Sequence, residues 1–169
     1  MKNNIRYEHV YDPTSNLVYQ QLFKEYFMEL GIVINERNYQ KIFKLMKAEI
    51  NLTSMQVLMI YMDDKLLGFS NFQVDKDERF WYIKMNNGDI REFYIKEEYR
   101  NKGYARILFN AIKDFFIENS MDYIYLTSEE GIDFWKHLGF VIDDSVMAEN
   151  NLTVLRYDIK NFESKKLKN

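Results

Sequence analysis

The stretch EEYRNKGYARILFNAIKDFF, residues 97–116, sets Gly103 between a basic run and a long apolar-periodic segment, in a chain with only six glycines. A strand that passes through a short turn into a helix leaves the first helical N–H groups without intrahelical partners, and that end binds anions. An anion that touches those amides needs small side chains around it. Gly103 and Ala105 are small, and glycine also takes a positive φ. Arg100 and Lys102 add positive charge. The helix dipole contributes roughly 0.3–2 kcal/mol, and each charge-assisted amide bond about 1.5–3 kcal/mol. Several amides therefore outweigh the dipole, and blocking the backbone should cost more than deleting one basic side chain. The alternative is that Gly103 merely ends a strand, with Arg100 and Lys102 solvated. Two other glycine-built anion sites are excluded. Neither Gly-x-x-x-x-Gly-Lys-Ser/Thr nor the three-glycine dinucleotide pattern occurs.

Other chemistries are narrowed by composition. With no cysteine there is no disulfide, thiol nucleophile or cysteine-based metal site. The two histidines, His9 and His137, are far apart and outside any ligand-spaced cluster, so no metal is expected. Lys plus Arg number 23 and Asp plus Glu 26, a balance of 23 − 26 = −3. A mildly acidic surface disfavours nucleic acid as the main partner and suits a cationic or neutral small substrate. The opening MKNNIRYEHVYDPTSN lacks the apolar core of a signal peptide. No apolar run approaches the ~20 residues of a membrane span. The expected location is cytoplasmic.

These residues must be positioned by a fold, and the hydrophobic period outlines it. Leu17, Val18, Leu22, Phe23, Tyr26, Phe27 and Leu30 recur at helical spacing, with Ser15 or Asn16 as cap and Gly31 as stop. NERNYQKIFKLMKAEI predicts a second helix capped by Asn35, with Tyr39, Ile42, Phe43, Leu45 and Met46 on one broad side. The period then changes to strands: MQVLMIYM, a DDK turn, LLGFSNFQV, RFWYIKM, an NNG hairpin turn at 86–88, and DIREFYI. Tyr104, Leu108, Ala111, Ile112 and Phe115 then predict a helix from 103 or 104. DYIYLT is a fifth strand, EEGIDFWKHLG a short helix, and FVIDDSVMA and NLTVLRYDI a final strand pair. The expectation is one α+β domain over 1–169, with a core of about 15–159 and a frayed tail at 160–169. Its mixed, mostly antiparallel sheet has about 6–7 strands, flanked by about 4 helices.

RNKGYA, Arg100 to Ala105, resembles the Arg/Gln-x-x-Gly-x-Gly/Ala signature of the GNAT superfamily of N-acetyltransferases. FWKHLGF at 134–140 is similar to that superfamily's Phe-Tyr-x-Lys-x-Gly-Phe segment. The spacing of the two blocks and the element order agree over nearly the whole chain. The resemblance implies transfer of an acetyl group from acetyl-CoA to a primary amine of a small molecule or peptide, by direct attack through a tetrahedral intermediate. It implies that Arg100, Asn101, Lys102, Gly103, Tyr104, Ala105 and Arg106 hold the coenzyme's diphosphate. It sets main-chain groups of Phe93, Tyr94 and Ile95 along the pantetheine arm, with the fourth and fifth strands splayed around the thioester. Ser128 and Phe134 are further coenzyme contacts on the same basis.

A substrate ammonium must lose a proton before it attacks, because its pKa lies well above 7. The superfamily carries an acid near either Asp89 or Glu92, and strict alternation points the two to opposite faces unless a bulge intervenes. Glu92, nearer the splay, is preferred as base. The alternative is that both are exposed acids beside a hairpin. The tyrosine that often protonates the leaving sulfur is replaced by Trp135, whose indole is no acid, so Tyr94, Tyr125 or water does that work, or the thiolate leaves unassisted. That departure leaves open a second reading, an inactive CoA-binding sensor or partner module. An α+β binding domain that ignores CoA is a third. Phe140 and Phe134 are expected in the core, and His137 on a helix surface. Acceptor recognition falls to the first two helices, their connection and the last strand pair, which hold Tyr26, Glu36, Tyr39 and Asp143. The acceptor's identity is open, and a homodimer is neither required nor excluded.

Overall fold

The computed structural model describes residues 4–75, 87–148 and 150–160. The elements run β1 (Ile5–His9), α1 (Leu17–Glu29), α2 (Glu36–Leu52), β2 (Gln56–Met62), β3 (Lys65–Asp75), β4 (Asn87–Ile95), α3 (Tyr104–Glu118), β5 (Tyr123–Ser128), α4 (Ile132–Leu138), β6 (Val141–Ile142) and β7 (Thr153–Asp158). Among the described residues seven strands form one mixed sheet in the order β1-β2-β3-β4-β5-β7-β6. β4 and β5 are parallel, and their register pairs Gly88 with Ile124 and Asp89 with Tyr125. Both strands run on past that short ladder, to Ile95 and Ser128.

The chain forms two compact units, one of Met1–Asn71 and Glu92–Leu108, the other of Phe72–Arg91 and Phe109–Asn169. The first has an aromatic core. Tyr19, Phe23, Phe43 and Phe69 are fully buried, and the Tyr19 ring meets Phe69 edge-on at 5.3 Å. Each such ring contributes roughly 1.5–3 kcal/mol by burial. The Tyr19 hydroxyl is satisfied by Asn71 Oδ1 at 3.1 Å. Asn16 Oδ1 accepts the Tyr19 N–H and Asn35 Oδ1 the Asn38 N–H, both at 2.9 Å, so both expected caps are present. The apolar side read for α2 holds at Tyr39, Phe43 and Met46, with Ile42 partly buried against the same core, but Leu45 departs from it at 66% exposed. β1 is absent from the sequence reading. Its five residues hold three polar side chains, and antiparallel pairing with β2 from Ile5↔Met62 to His9↔Leu58 makes it a strand.

In the second unit Phe109 packs on Phe140 and Tyr157, each at 5.4 Å. Phe72 packs on Phe115 and Phe116 at 5.2 and 5.8 Å. The expected NNG turn is corrected here. Asn87 and Gly88 are buried residues of β4, and the expected strand at 79–85, with Asn86, lies outside the described residues. Gly88 is glycine because a Cβ there would lie 2.7 Å from the Phe116 ring. Phe116 is fully buried and cannot swing clear. Gly88→Ala is therefore expected to destabilise the protein by about 1–3 kcal/mol, read as a lower denaturant midpoint at unchanged slope.

Candidate functional site

The turn after β4 is built locally. Lys96 N–H bonds the Leu67 carbonyl at 2.9 Å, which pins the end of β4 to β3. A single 3-10 turn follows at Glu97–Tyr99. Asn101 (φ 59°) and Gly103 (φ 86°) then take left-handed conformations just before α3. The Gly103 carbonyl accepts the Ile107 N–H at 3.2 Å, so Gly103 stands at the cap of the helix. A Cβ built on Gly103 meets nothing within 4 Å. Its backbone angle, not crowding, demands glycine. The space before the helix N-terminus at that point is open, which fits a ligand laid against the amides of 103–106.

The basic side chains of the turn are engaged within the protein. Arg100 donates from Nε to the Ile95 carbonyl at 2.8 Å, and from Nη2 to Glu29 of α1. Lys102 Nζ bonds the Glu98 carbonyl at 2.7 Å. Arg100 is thus a strut that ties the turn to β4 and α1. That leaves the main-chain amides at the start of α3 as the candidate anion donors.

β4 carries a second group of polar contacts. Tyr26 of α1 donates its hydroxyl to Glu92 Oε2 at 2.5 Å. Two residues along the strand, Tyr94 donates to Glu29 of α1. The two tyrosine rings touch, with centroids 5.3 Å apart. Burial, then the neighbouring carboxylate, pushes the pKa of each phenol well up, by Glu92 at Tyr26 and Glu29 at Tyr94. Both hydroxyls stay protonated donors at neutral pH. Ser70 of β3, itself fully buried, donates to the Glu92 carbonyl at 2.7 Å. Glu92 is therefore partly buried and held at both its backbone and its carboxylate.

The second unit holds the other expected residues. Asp89 is 2% exposed and lies in register beside Tyr125, so it is no exposed hairpin acid. Tyr125 donates to Asp143 Oδ2 at 3.2 Å, and Arg156 Nη1 bonds the same oxygen at 2.8 Å. Asp143 Oδ1 accepts from the Ser145 N–H at 3.2 Å and from its hydroxyl. Burial opposes ionisation of Asp143, but Ser145, Arg156 and Tyr125 together hold its carboxyl below the usual range. Burial first, with Asp143 adding to it, pushes the Tyr125 phenol up. Ser128 Oγ bonds the Glu130 carbonyl. Trp135 is buried against Phe134 at 5.0 Å and Phe140 at 5.2 Å, a core position. Phe134, expected in the core, is 37% exposed. His137 is exposed, with Nδ1 2.6 Å from the Asp133 carbonyl.

Of the residues expected at the acceptor side, Tyr26 meets Glu92. Tyr39 belongs to the core, Glu36 pairs with Lys24 at 2.6 Å, and Asp143 serves the Tyr125–Arg156 cluster. Sequence reasoning missed Glu25 and Glu29. They stand four apart on α1, opposite Lys96 (3.2 Å from Glu25) and Arg100. That matched spacing of acids and bases was the available signal, but nothing local says the two segments meet. Among the described residues no group of three or more His, Cys, Asp or Glu could hold a metal ion. No described helix is long and apolar enough to cross a membrane.

The strand order, the short parallel β4–β5 ladder and the glycine-capped turn into α3 define an α+β acyltransferase fold. Residues 18–140 match the acetyltransferase (GNAT) family, and the chain belongs to that family. No curated protein matches the sequence. Among solved structures, an acetyltransferase from Streptococcus agalactiae is similar, with TM-score 0.64 at 12% identity over 94% of this chain and 99% of that one. PaiA N-acetyltransferase from Thermoplasma acidophilum, solved with coenzyme A, gives 0.60 at 16% identity over 92% and 99%. The ribosomal-protein-S18-alanine N-acetyltransferase of Escherichia coli gives 0.61 at 10% identity over 92% and 94%. At such identities the likeness concerns the fold.

Proposed function

We propose that this protein transfers an acetyl group from acetyl-CoA to the primary amine of a small molecule or peptide. The observation that carries the reading is the turn at 100–105. Gly103 is left-handed, its Cβ direction is open, and α3 begins directly after it in a member of the GNAT family. The amides of 103–106 would hold the diphosphate. Main-chain groups of Phe93, Tyr94 and Ile95 would follow the pantetheine arm. PaiA, solved with coenzyme A, supports a coenzyme in this fold.

Acetyl-CoA supplies a thioester that a free amine attacks directly. Glu92 takes the proton from the acceptor ammonium, alone or through one water. Its carboxylate is held by Tyr26 and its backbone by Ser70, so it is fixed before the acceptor arrives. Asp89 is the other carboxylate of β4. As a buried residue beside Tyr125, whose hydroxyl is given to Asp143, it fits a supporting place better than a direct one. The phenols of Tyr94 and Tyr125 both donate to carboxylates, which leaves water as the proton source for the departing sulfur.

Acetyl-CoA at 100 times its Kd is expected to stabilise the fold by about 2.7 kcal/mol, seen as a melting shift of several degrees. Thiol release should follow with at least one amine from a panel of polyamines, aminoglycosides and lysine peptides. A large excess of acetyl-CoA that leaves the melting curve in place rules out coenzyme binding. Binding without turnover across the panel assigns the inactive CoA-binding module instead.

A further inference from the structure

The Tyr26–Glu92 contact joins a phenol and a carboxylate that are each immobilised from elsewhere. The Tyr26 ring is enclosed by Phe69 at 5.6 Å, Phe27 at 5.8 Å, Phe23 at 6.1 Å and Tyr94 at 5.3 Å. Its hydroxyl therefore has one place to be. Glu92 is fixed at its carbonyl by Ser70 and at Oε2 by Tyr26. A free glutamate samples several rotamers, and holding it in one removes that entropy from the reaction. We propose that Tyr26 is a positioning residue for Glu92, orienting its carboxylate to take the acceptor's proton. This rests on the reading of Glu92 as base.

The neighbouring pair shows the contrast. Tyr94 reaches Glu29 with donor and acceptor exchanged between helix and strand, three residues along α1 and two along β4. There the carboxylate also binds Arg100, so its charge is neutralised and it acts as a strut. Tyr26 gives Glu92 a strong hydrogen bond without bringing a full positive charge. A cation at this place would both suppress the carboxylate's basicity and repel an ammonium acceptor. A phenol orients the base without adding such a charge of its own.

The ionisable groups around the pair are known. α1 presents Tyr19, Glu25, Tyr26 and Glu29. β4 and the turn after it present Glu92, Tyr94, Lys96 and Arg100, while β3 offers the uncharged Ser70 and Asn71. Glu25 is compensated by Lys96 and Glu29 by Arg100. Tyr19 gives its hydroxyl to Asn71. The Tyr26 phenol, kept protonated by burial and by Glu92, is a donor through the whole working range of pH.

Tyr26→Phe removes the hydroxyl and keeps the ring, so the aromatic enclosure survives. The probe is protein labelled with 13C at the glutamate side-chain carboxyls, with Glu92→Gln identifying the Glu92 signal. In Tyr26→Phe the titration midpoint of that signal is expected to move to higher pH, because the bond that favours the ionised form is gone. The acid limb of kcat for the best amine of the panel should move the same way, with about a tenfold loss of kcat near neutral pH. Acetyl-CoA affinity should stay within about twofold, since the turn is untouched. Site-specific 3-fluorotyrosine at position 26, a stronger donor, should move the midpoint to lower pH. An unmoved Glu92 titration in both variants overturns the proposal, as does a kcat loss of equal size at every pH. A Glu92→Gln enzyme with full turnover overturns the base reading separately, whatever the titrations show.

Discussion

Gly103→Glu is expected to abolish acetyl-CoA binding and to leave the protein folded. Two effects of different size act at this position. Glycine there has φ 86°, which costs any other residue about 1–2 kcal/mol. A typical domain has 5–15 kcal/mol in hand, so the variant folds with a melting point lower by several degrees. The new side chain meets no protein atom near its Cβ and enters the space before the α3 amides. Its carboxylate occupies the donors that the diphosphate needs and repels the phosphoryl charges. Loss of two amide bonds at about 1.5–3 kcal/mol each corresponds to a fall in affinity of roughly 10²–10⁴. Gly103→Asn separates strain from blockade. Asparagine tolerates the left-handed region and carries no charge, so its loss of affinity should be far smaller. Lys102→Ala should cost less still, because that ammonium is bound to the Glu98 carbonyl at the surface. Isothermal titration with acetyl-CoA reads all three. Wild-type affinity in Gly103→Glu means that this turn does not hold the coenzyme.

How legible these features were depends on the range of the interactions that fix them. The caps at Asn16 and Asn35, the start of α3 near 103 and the end of α4 at Gly139 rest on a few neighbouring residues, and they stand where expected. The glycine turn before α3 was legible for the same reason. Gly88 was misread because asparagine–glycine is a strong local turn signal, while the requirement on this glycine comes from Phe116, 28 residues away. Leu45 followed the helical period but is 66% exposed, so period alone overstated the buried side of α2. The pairing of Arg100 was illegible for a related reason. Its charge suggests an anion ligand, and nothing local indicates that Glu29, 71 residues earlier in the chain, also pairs with it. Tyr26 was placed on the acceptor side by segment only. Its partner, 66 residues away, could come from nothing but the packing of α1 on β4.

Glu92→Gln tests the chemistry where Gly103→Glu tests binding. Glutamine matches the shape of the side chain and still offers an oxygen to the Tyr26 hydroxyl, so the local structure should hold. It cannot accept a proton at neutral pH. General-base catalysis is worth about 10²–10⁴ in rate, so kcat for the best amine should fall by that factor, or about 2.7–5.4 kcal/mol of barrier. Acetyl-CoA affinity should be unchanged, which distinguishes this loss from that of the turn variant. The pH profile carries the decisive sign. An alkyl amine with a pKa near that of lysine, about 10.4, is almost wholly protonated at pH 7. Each unit of added pH raises the free-amine fraction about tenfold until that pKa is neared. The variant, which must wait for amine already deprotonated by solvent, should gain rate in that proportion up to about pH 9. The wild type, which removes the proton itself, should level off earlier. Equal pH profiles with equal rates would show that Glu92 takes no proton. Asp89, the other carboxylate of the strand, would then be the group to replace with asparagine, and its burial predicts a loss of stability alongside any loss of rate.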